Sequence, residues 1–132
     1  LTRGCTKAHI ARAALEGIAY QVKDLLDAME SDAGEKLSVL RVDGGASVNN
    51  FLLQFQSDLL RKPIDRPQMV ETTAFGAAFL AGLATGVWSS VDEIKKLRKS
   101  DRIFEPVMDE SDAEKLHATW LRAVERSANW EE

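Results

Sequence analysis

The stretch Val42-Asp43-Gly44-Gly45-Ala46-Ser47-Val48-Asn49-Asn50-Phe51 contains the change of pattern that determines the fold. An apolar run ends there and an amphipathic pattern resumes after the two glycines, which predicts a strand, a tight turn and a helix start. Glycine has no Cβ, so the backbone amides of such a turn can approach a ligand that a side chain would exclude. Phosphate groups are typical ligands of amides at the start of a helix. A plain strand-to-helix turn without a ligand explains the local pattern equally well.

The composition is that of one globular unit. The chain has 132 residues, 45% hydrophobic and 29% charged, and no apolar run approaches the roughly 20 residues of a membrane span. A formal net charge of −4 argues against a nucleic-acid binder, whose affinity depends on clustered Lys and Arg. The basic residues Lys95, Lys96, Arg98 and Lys99 are therefore expected to form a solvated helix face.

The first residues lack the apolar core of a secretion signal. The single cysteine, Cys5, cannot form an internal disulfide, so we expect a cytoplasmic protein with an inert thiol. Leu1 is not an initiator residue. We therefore expect either that a start was trimmed or that the chain was cut from a longer protein.

Apolar periodicity predicts the elements before the glycines and directly after them. Three- and four-residue steps predict a helix from Thr6 to about Glu30, with Thr6 as N-cap and Gly17 at a close helix crossing. The run from Leu37 to Val42 predicts a strand covered on both faces. A helix is expected from Ser47 or Asn49 to Leu60. Its predicted buried side comprises Phe51, Leu52, Phe55, Leu59 and Leu60.

The second half is predicted to be mostly helical. Residues 63–67 form a short extended strand between prolines, and a helix rich in small residues opens at Thr72 or Thr73 and ends near Gly86. Ser90 with Glu93, and Ser111 with Glu114, have the spacing of capping boxes. The three tryptophans are expected to be packing anchors: Trp88, Trp120 and Trp130.

Two strands joined by a helix predict an α/β fold with a short parallel βαβ unit. Two strands alone do not make a satisfactory sheet. We therefore expect partner strands from outside this chain or from a second copy, and a homo-oligomer.

Few residues are candidates for chemistry. Asp43 could reach a metal or a phosphate-bound water, or could be a turn residue bonded to its own backbone. In an open parallel sheet, ligands bind in a crevice beyond the carboxyl ends of the strands, which is where the Asp-Gly-Gly turn falls. Asn49 would face this crevice and can donate and accept hydrogen bonds. The segment Glu71-Thr72-Thr73 could lie there too, although a helix cap explains its threonines equally well. His9 and His117 lack metal-ligand spacing, so we expect neither a zinc site nor a catalytic triad.

The segments resemble the FGGY carbohydrate kinase family over essentially the whole chain. The resemblance is carried by Leu1–Gly4, Ala8–Gln21, Arg41–Ala46, Asn49–Leu52, Gln54–Asp58, Glu71–Ala74, Gly76–Ala84 and Trp130–Glu132. It implies a ribonuclease H-like fold of the actin and hexokinase type, with residues 1–132 as the C-terminal part of the second domain. Phe75 and Arg61-Lys62 depart from the family pattern without touching the inferred site.

The glycine stretch and the Gln54–Asp58 segment resemble those members of the family that transfer the γ-phosphoryl group of MgATP to glycerol. The resemblance implies that Gly45 contacts the nucleotide phosphates and Asn49 the nucleotide, while Gly44 and Ala46 shape the loop. It places the catalytic aspartate, the glycerol-binding residues and an early phosphate loop before Leu1. The chain would thus hold no catalytic and no metal-binding residue, and would be inactive without the N-terminal portion of the kinase.

Two other interpretations remain open from the sequence. The chain could be a non-catalytic nucleotide-binding or interaction module. It could also come from another FGGY kinase that acts on a different sugar or polyol.

Overall fold

The computed structural model describes residues 2–128, so the predictions for Leu1 and for Trp130 and its neighbours lie outside the described residues. These residues contain five α-helices, three strands and one 3-10 helix. In order they are α1 Lys7–Ala33, β1 Leu40–Arg41, the 3-10 helix Gly45–Val48, α2 Asn50–Leu60, β2 Ile64–Pro67, α3 Thr72–Thr85, α4 Val91–Lys95, β3 Ser100–Phe104 and α5 Glu110–Ser127.

The strands form one sheet in the order β1-β2-β3. β1 and β2 pair in parallel with Leu40 opposite Ile64, which confirms the predicted βαβ unit. β3 runs antiparallel to β2 and was not predicted from the sequence. Only Phe104 of its five residues is buried, so β3 has none of the apolar alternation that identifies a strand in a sequence.

The first strand is shorter and more exposed than predicted. Only Leu40 and Arg41 are paired, and Arg41 is exposed. Leu37, Leu40 and Val42 pack against the core while remaining partly exposed. The expectation of a strand covered on both faces is therefore wrong for the described chain.

α2 lies at the centre of the core. One buried cluster joins its residues Leu52, Phe55 and Leu59 to Ala19 and Tyr20 of α1. A second cluster joins α2 to the sheet and to the C-terminal half of α1. It comprises Leu26, Leu53, Leu60, Ile64 and Phe104. Phe51, predicted to be buried, is 38% exposed and stacks on the Phe55 ring.

Helices α1 and α5 are joined by a polar and aromatic contact. The Asp24 carboxylate accepts hydrogen bonds from the Trp120 indole and pairs with His117, both at 2.7 Å. Partial burial raises the pKa of Asp24, but these hydrogen bonds outweigh it and lower the pKa overall. The Trp120 ring also stacks on Tyr20 at 5.2 Å, as expected of a packing anchor.

The buried polar residues of α2 hold the segment that contains β3. The Ser57 hydroxyl lies 2.9 Å from the carbonyl oxygens of both Lys62 and Phe104. The Asp58 carboxylate accepts from the backbone amides of Val107 and Met108, at 2.7 and 3.2 Å. These bonds satisfy backbone groups that burial against α2 would otherwise leave unpaired.

Thr6 is the N-cap of α1, and Ser90 caps α4 by accepting from the Glu93 amide. Ser111, however, lies inside α5, whose N-cap is Asp109, so the second capping box is wrong. The close crossing at Gly17 is also wrong, because a Cβ there would meet nothing within 4 Å in the described chain.

Gly82 is the glycine that does make a close approach. A Cβ at Gly82 would lie 2.1 Å from the Trp88 ring, so the indole fills the space beside the glycine. This contact packs the segment after α3 against the last turn of that helix. Trp88 is thus a packing anchor, as predicted.

Apolar side chains remain exposed on several helices, α1 and α3 among them. On α1 they comprise Ile10, Ile18, Leu25 and Met29, each between 47% and 60% exposed. On α3, Leu80 is 71% exposed. The apolar residues of α1 thus lie on two faces of the helix, and the described chain buries one of them.

We predict that Ser57→Ala lowers the free energy of unfolding by about 1–3 kcal/mol, because it removes the one hydroxyl donor that lies beside the buried Phe104 carbonyl. Urea denaturation measures the change. Ser127→Ala is the matched control, since it removes an exposed hydroxyl that lies 2.9 Å from the Ala123 carbonyl oxygen. Equal losses in the two variants would contradict the structural role of Ser57.

Candidate functional site

The site centres on Gly44 to Val48, which we call the glycine turn. Gly44 has φ 76° and ψ 174°, a conformation that essentially only glycine adopts. Its amide donates to the Val70 carbonyl at 2.8 Å. Its carbonyl accepts from the amide of Ser47 at 3.1 Å and from the Ser47 hydroxyl at 2.7 Å. Two hydrogen bonds within the turn and one to Val70 therefore hold its conformation.

Ser47 belongs to the candidate site but was not singled out from the sequence. It is 3% exposed and closes the turn with both its amide and its hydroxyl. A serine three residues after a glycine that begins a turn can make such a bond, and this spacing was the available signal.

The middle of the turn is open. Among the described residues, the amides of Gly45 and Ala46 donate to no acceptor. A Cβ at Gly45 would meet nothing within 4 Å. Two adjacent N–H donors at the start of the 3-10 helix are thus without an acceptor among the described residues, and the space beside Gly45 is open, an arrangement that favours an anion.

Asn49 lies directly after the glycine turn and caps α2. Its side-chain oxygen accepts from the Leu52 amide at 3.1 Å, and its own amide donates to the Ala46 carbonyl. The cap uses the oxygen of the side chain, so the NH₂ group is the part that can donate to a ligand. The structure therefore brings Gly44, Gly45, Ala46 and Asn49 together at the start of α2, and their contact with a nucleotide stays a prediction.

Asp43 has a partner that neither sequence interpretation included. Its carboxylate accepts a hydrogen bond from the Thr72 hydroxyl at the start of α3. The N-cap of α3 is Glu71. Thr72 is thus tied to Asp43, the residue directly before the glycine turn, and it is not the cap of its helix.

Arg66 on β2 was not singled out from the sequence. One terminal nitrogen of its guanidinium donates to the Ser47 carbonyl at 3.2 Å and to the Asn50 side-chain oxygen at 2.8 Å. The other terminal nitrogen lies 2.6 Å from the Asp101 carboxylate on β3. Arg66 thus connects the sheet to the far end of the glycine turn. Hydrogen bonds to backbone carbonyls leave no sequence pattern, so no signal could have found it.

A second ion pair joins β2 to the segment after α4. Arg98 lies 2.5 Å from the Asp65 carboxylate, and Arg41 lies 3.9 Å from it. Burial raises the pKa of Asp65, but the hydrogen bonds from Arg98 and Ser100 and the nearby positive charges lower it overall. The expectation that Arg98 belongs to a solvated helix face is therefore wrong.

Within residues 2–128, no group of three or more His, Cys, Asp or Glu side chains is placed to hold a metal ion. His9 contacts the backbone amide of Thr6 at the start of α1. Among the described helices, none combines the length and the hydropathy needed to cross a membrane.

Residues 1–85 match the model of the FGGY family of carbohydrate kinases, C-terminal domain. The chain is 59% identical over 132 residues to a glycerol kinase of Caldanaerobacter subterraneus subsp. tengcongensis and 60% identical over 131 residues to one of Pseudomonas syringae pv. tomato. These alignments cover 100% and 99% of this chain but 27% and 26% of the relatives. The chain thus spans about a quarter of the length of the curated relatives that it matches.

Two solved structures show the same fold. Plasmodium falciparum glycerol kinase with ADP superposes with a TM-score of 0.83 at 42% identity, over 97% of this chain and 26% of that one. A ligand-bound xylulose kinase from Lactobacillus acidophilus gives 0.75 at 24% identity, over 98% and 26%. The likeness confirms the expected fold class, part of a helix-rich α/β domain of the actin and hexokinase type.

We predict that Arg98→Gln destabilises the fold at neutral pH by about 1–3 kcal/mol, because it removes a charged hydrogen bond to a buried carboxylate. The folded-state pKa of Asp65 lies below its unfolded value of about 3.9, so the stability due to the pair is fully present above that pH. It is lost as the pH falls through the folded-state pKa.

Urea denaturation at pH 7, 4 and 3 should therefore show the gap between wild type and Arg98→Gln shrinking with acid. Lys96→Gln, which removes an exposed charge from the same basic segment, is the control and should change little. A gap that does not depend on pH would contradict this assignment of the pair.

Proposed function

Because this chain belongs to the FGGY family of carbohydrate kinases, we propose that it forms one wall of the nucleotide site of an ATP-dependent glycerol kinase. The complete enzyme transfers the γ-phosphoryl group of MgATP to glycerol and releases sn-glycerol 3-phosphate and ADP. In this proposal the glycine turn contacts the phosphates, and the rest of the kinase supplies the glycerol pocket and the catalytic base.

One observation carries the assignment of the turn: the amides of Gly45 and Ala46 have no acceptor among the described residues, and the space beside Gly45 is open. Two such donors match the oxygens of a nucleotide phosphate. The NH₂ group of Asn49, one residue beyond the turn, is in place to add a third donor. Gly44 supplies the backbone conformation that presents all three.

The contribution of these donors is positioning and charge stabilisation. Phosphoryl transfer needs little covalent help from the protein, and fixed donors that hold the nucleotide in line with the acceptor lower the barrier. The amides are already oriented by the bonds that hold the turn, so they need little reorganisation when a phosphate binds. Mg²⁺ enters with the nucleotide as the substrate MgATP, and we assign no metal-holding residue to this chain.

Glycerol is favoured as the acceptor by the degree of similarity. The chain is 58–60% identical to curated proteins named glycerol kinase, whereas the xylulose and gluconate kinases of known structure are 20–26% identical to it. No residue of this chain is assigned to the acceptor pocket, so the acceptor follows from similarity alone.

We also propose that all of residues 1–132 belong to the C-terminal domain. The family model ends at residue 85, but β3 pairs with β2 and α5 joins α1 through Trp120. The exposed apolar faces of α1 and α3 would be covered by the remainder of the kinase or by a second copy, which fits the expected homo-oligomer. A cytoplasmic location accords with the single exposed cysteine.

The test uses the protein made from the complete reading frame that contains this chain. We expect glycerol-dependent release of ADP from MgATP, with little release when xylulose or gluconate replaces glycerol. If ADP is released only with another polyol, then that polyol, and not glycerol, is the substrate. ATP binding without any turnover would favour the non-catalytic module instead.

Gly45→Val tests the role of the turn. The new side chain meets nothing in the chain itself but would occupy the space in front of the amides. We expect the KM for MgATP to rise at least tenfold, as two charge-assisted hydrogen bonds are weakened, while the KM for glycerol stays within about twofold. Equal effects on both constants, or none, would contradict the assignment.

A further inference from the structure

Arg66 holds the glycine turn at the end opposite to Gly44. The Gly44 amide is bonded to Val70 at one end of the turn, and the Ser47 carbonyl is bonded to Arg66 at the other. The amides of Gly45 and Ala46, which lack an acceptor among the described residues, lie between these two attachments. A turn fixed at both ends keeps its central donors in one orientation.

The guanidinium itself is firmly placed. Its side chain is 13% exposed, and one Asp101 oxygen accepts from Nε at 2.8 Å and lies 2.6 Å from a terminal nitrogen, so the carboxylate holds one edge of the guanidinium. The Phe104 ring lies 5.4 Å from the guanidinium carbon. The remaining terminal nitrogen is thereby directed at Ser47 and Asn50.

A simple surface ion pair would not explain this arrangement. Exposed pairs contribute little, and the Asp101 side chain is 46% exposed. The contacts that distinguish Arg66 are those to the Ser47 carbonyl and to the Asn50 side chain at the first residue of α2. They join the antiparallel strand β3 to the turn through one side chain.

We infer that Arg66 is a positioning residue, which acts through the Ser47 carbonyl and Asn50 to orient the amides of Gly45 and Ala46 for a nucleotide phosphate. Asp101 on β3 orients Arg66 in turn. Arg66 does not touch the nucleotide. The inference rests on the proposed function of the glycine turn, and it assigns to β3 a part in nucleotide affinity.

The experiment compares Arg66→Ala, Asn50→Ala and Asp101→Asn in the protein made from the complete reading frame. Arg102→Ala is the matched control, because Arg102 lies on β3 and also stacks a guanidinium on Phe104, at 4.5 Å. Calorimetry gives the Kd for MgADP, steady-state kinetics gives the KM for MgATP and for glycerol, and hydrogen exchange follows the backbone of residues 43–50.

We expect Arg66→Ala to raise the Kd for MgADP about tenfold and the KM for MgATP in parallel, as a lost hydrogen bond from a charged group would. The KM for glycerol should not change. Asn50→Ala and Asp101→Asn should give smaller changes in the same direction, and Arg66→Lys should recover part of the affinity. Exchange should accelerate at residues 43–50 in Arg66→Ala and not in Arg102→Ala.

An unchanged Kd in Arg66→Ala, or an equal loss in Arg102→Ala, would overturn the inference. So would accelerated exchange spread evenly over α2 and the sheet, because that would mean a general structural role. If the wild-type protein binds no MgADP, the proposed function fails. Exchange at residues 43–50 then decides by itself whether Arg66 orders the turn.

Discussion

The backbone conformation of Gly44 is the constraint on which the rest of the structure depends. With φ 76° and ψ 174°, it turns the chain from the end of β1 into the 3-10 helix and then into α2. A side chain at this position would be strained whatever the space around it. Because α2 contributes to both buried clusters, the path of the chain at Gly44 also sets where the core forms.

The two segments that carry the family resemblance have different physical roles. The glycine turn has two amides without an acceptor among the described residues and open space beside Gly45, which are features of a binding site. The segment Gln54–Asp58, in contrast, faces inward: Ser57 and Asp58 are buried and bonded to backbone groups near β3. This second segment is therefore explained by the fold, since its polar side chains satisfy the strand and loop that pack on α2. A residue pattern shared with a family can thus indicate packing as readily as chemistry.

The sequence predicted the elements whose signals are local. The parallel βαβ unit and the extent of α3 follow from the apolar periodicity and the turn residues, and α2 begins at Asn50, next to Asn49, one of its two predicted starts. β3 escaped prediction because four of its five residues are exposed and its partner lies more than 30 residues earlier. Ser111 has the spacing of a cap but lies inside α5, because Asp109 precedes it as N-cap.

The residues of the candidate site also fall into two groups, those with a local sequence signal and those without one. Gly44, Gly45, Ala46 and Asn49 are adjacent in sequence, so one local pattern brings them together. Ser47 and Arg66 act on the turn through backbone carbonyls, and Arg66 does so from 19 residues away. The Ser47 contact has a weak local signal in its three-residue spacing from Gly44, whereas the Arg66 contact has none. Burial and hydrogen-bond geometry were needed to find them.

The most direct test of the account is an amide chemical-shift titration of the isotopically labelled chain with MgADP. The account predicts saturable shifts at the amides of Gly45 and Ala46 and at the Asn49 side-chain NH₂ group, with little change in α5. Saturable shifts located elsewhere, with the glycine turn unmoved, would contradict the claim that this turn is a phosphate-binding half-site.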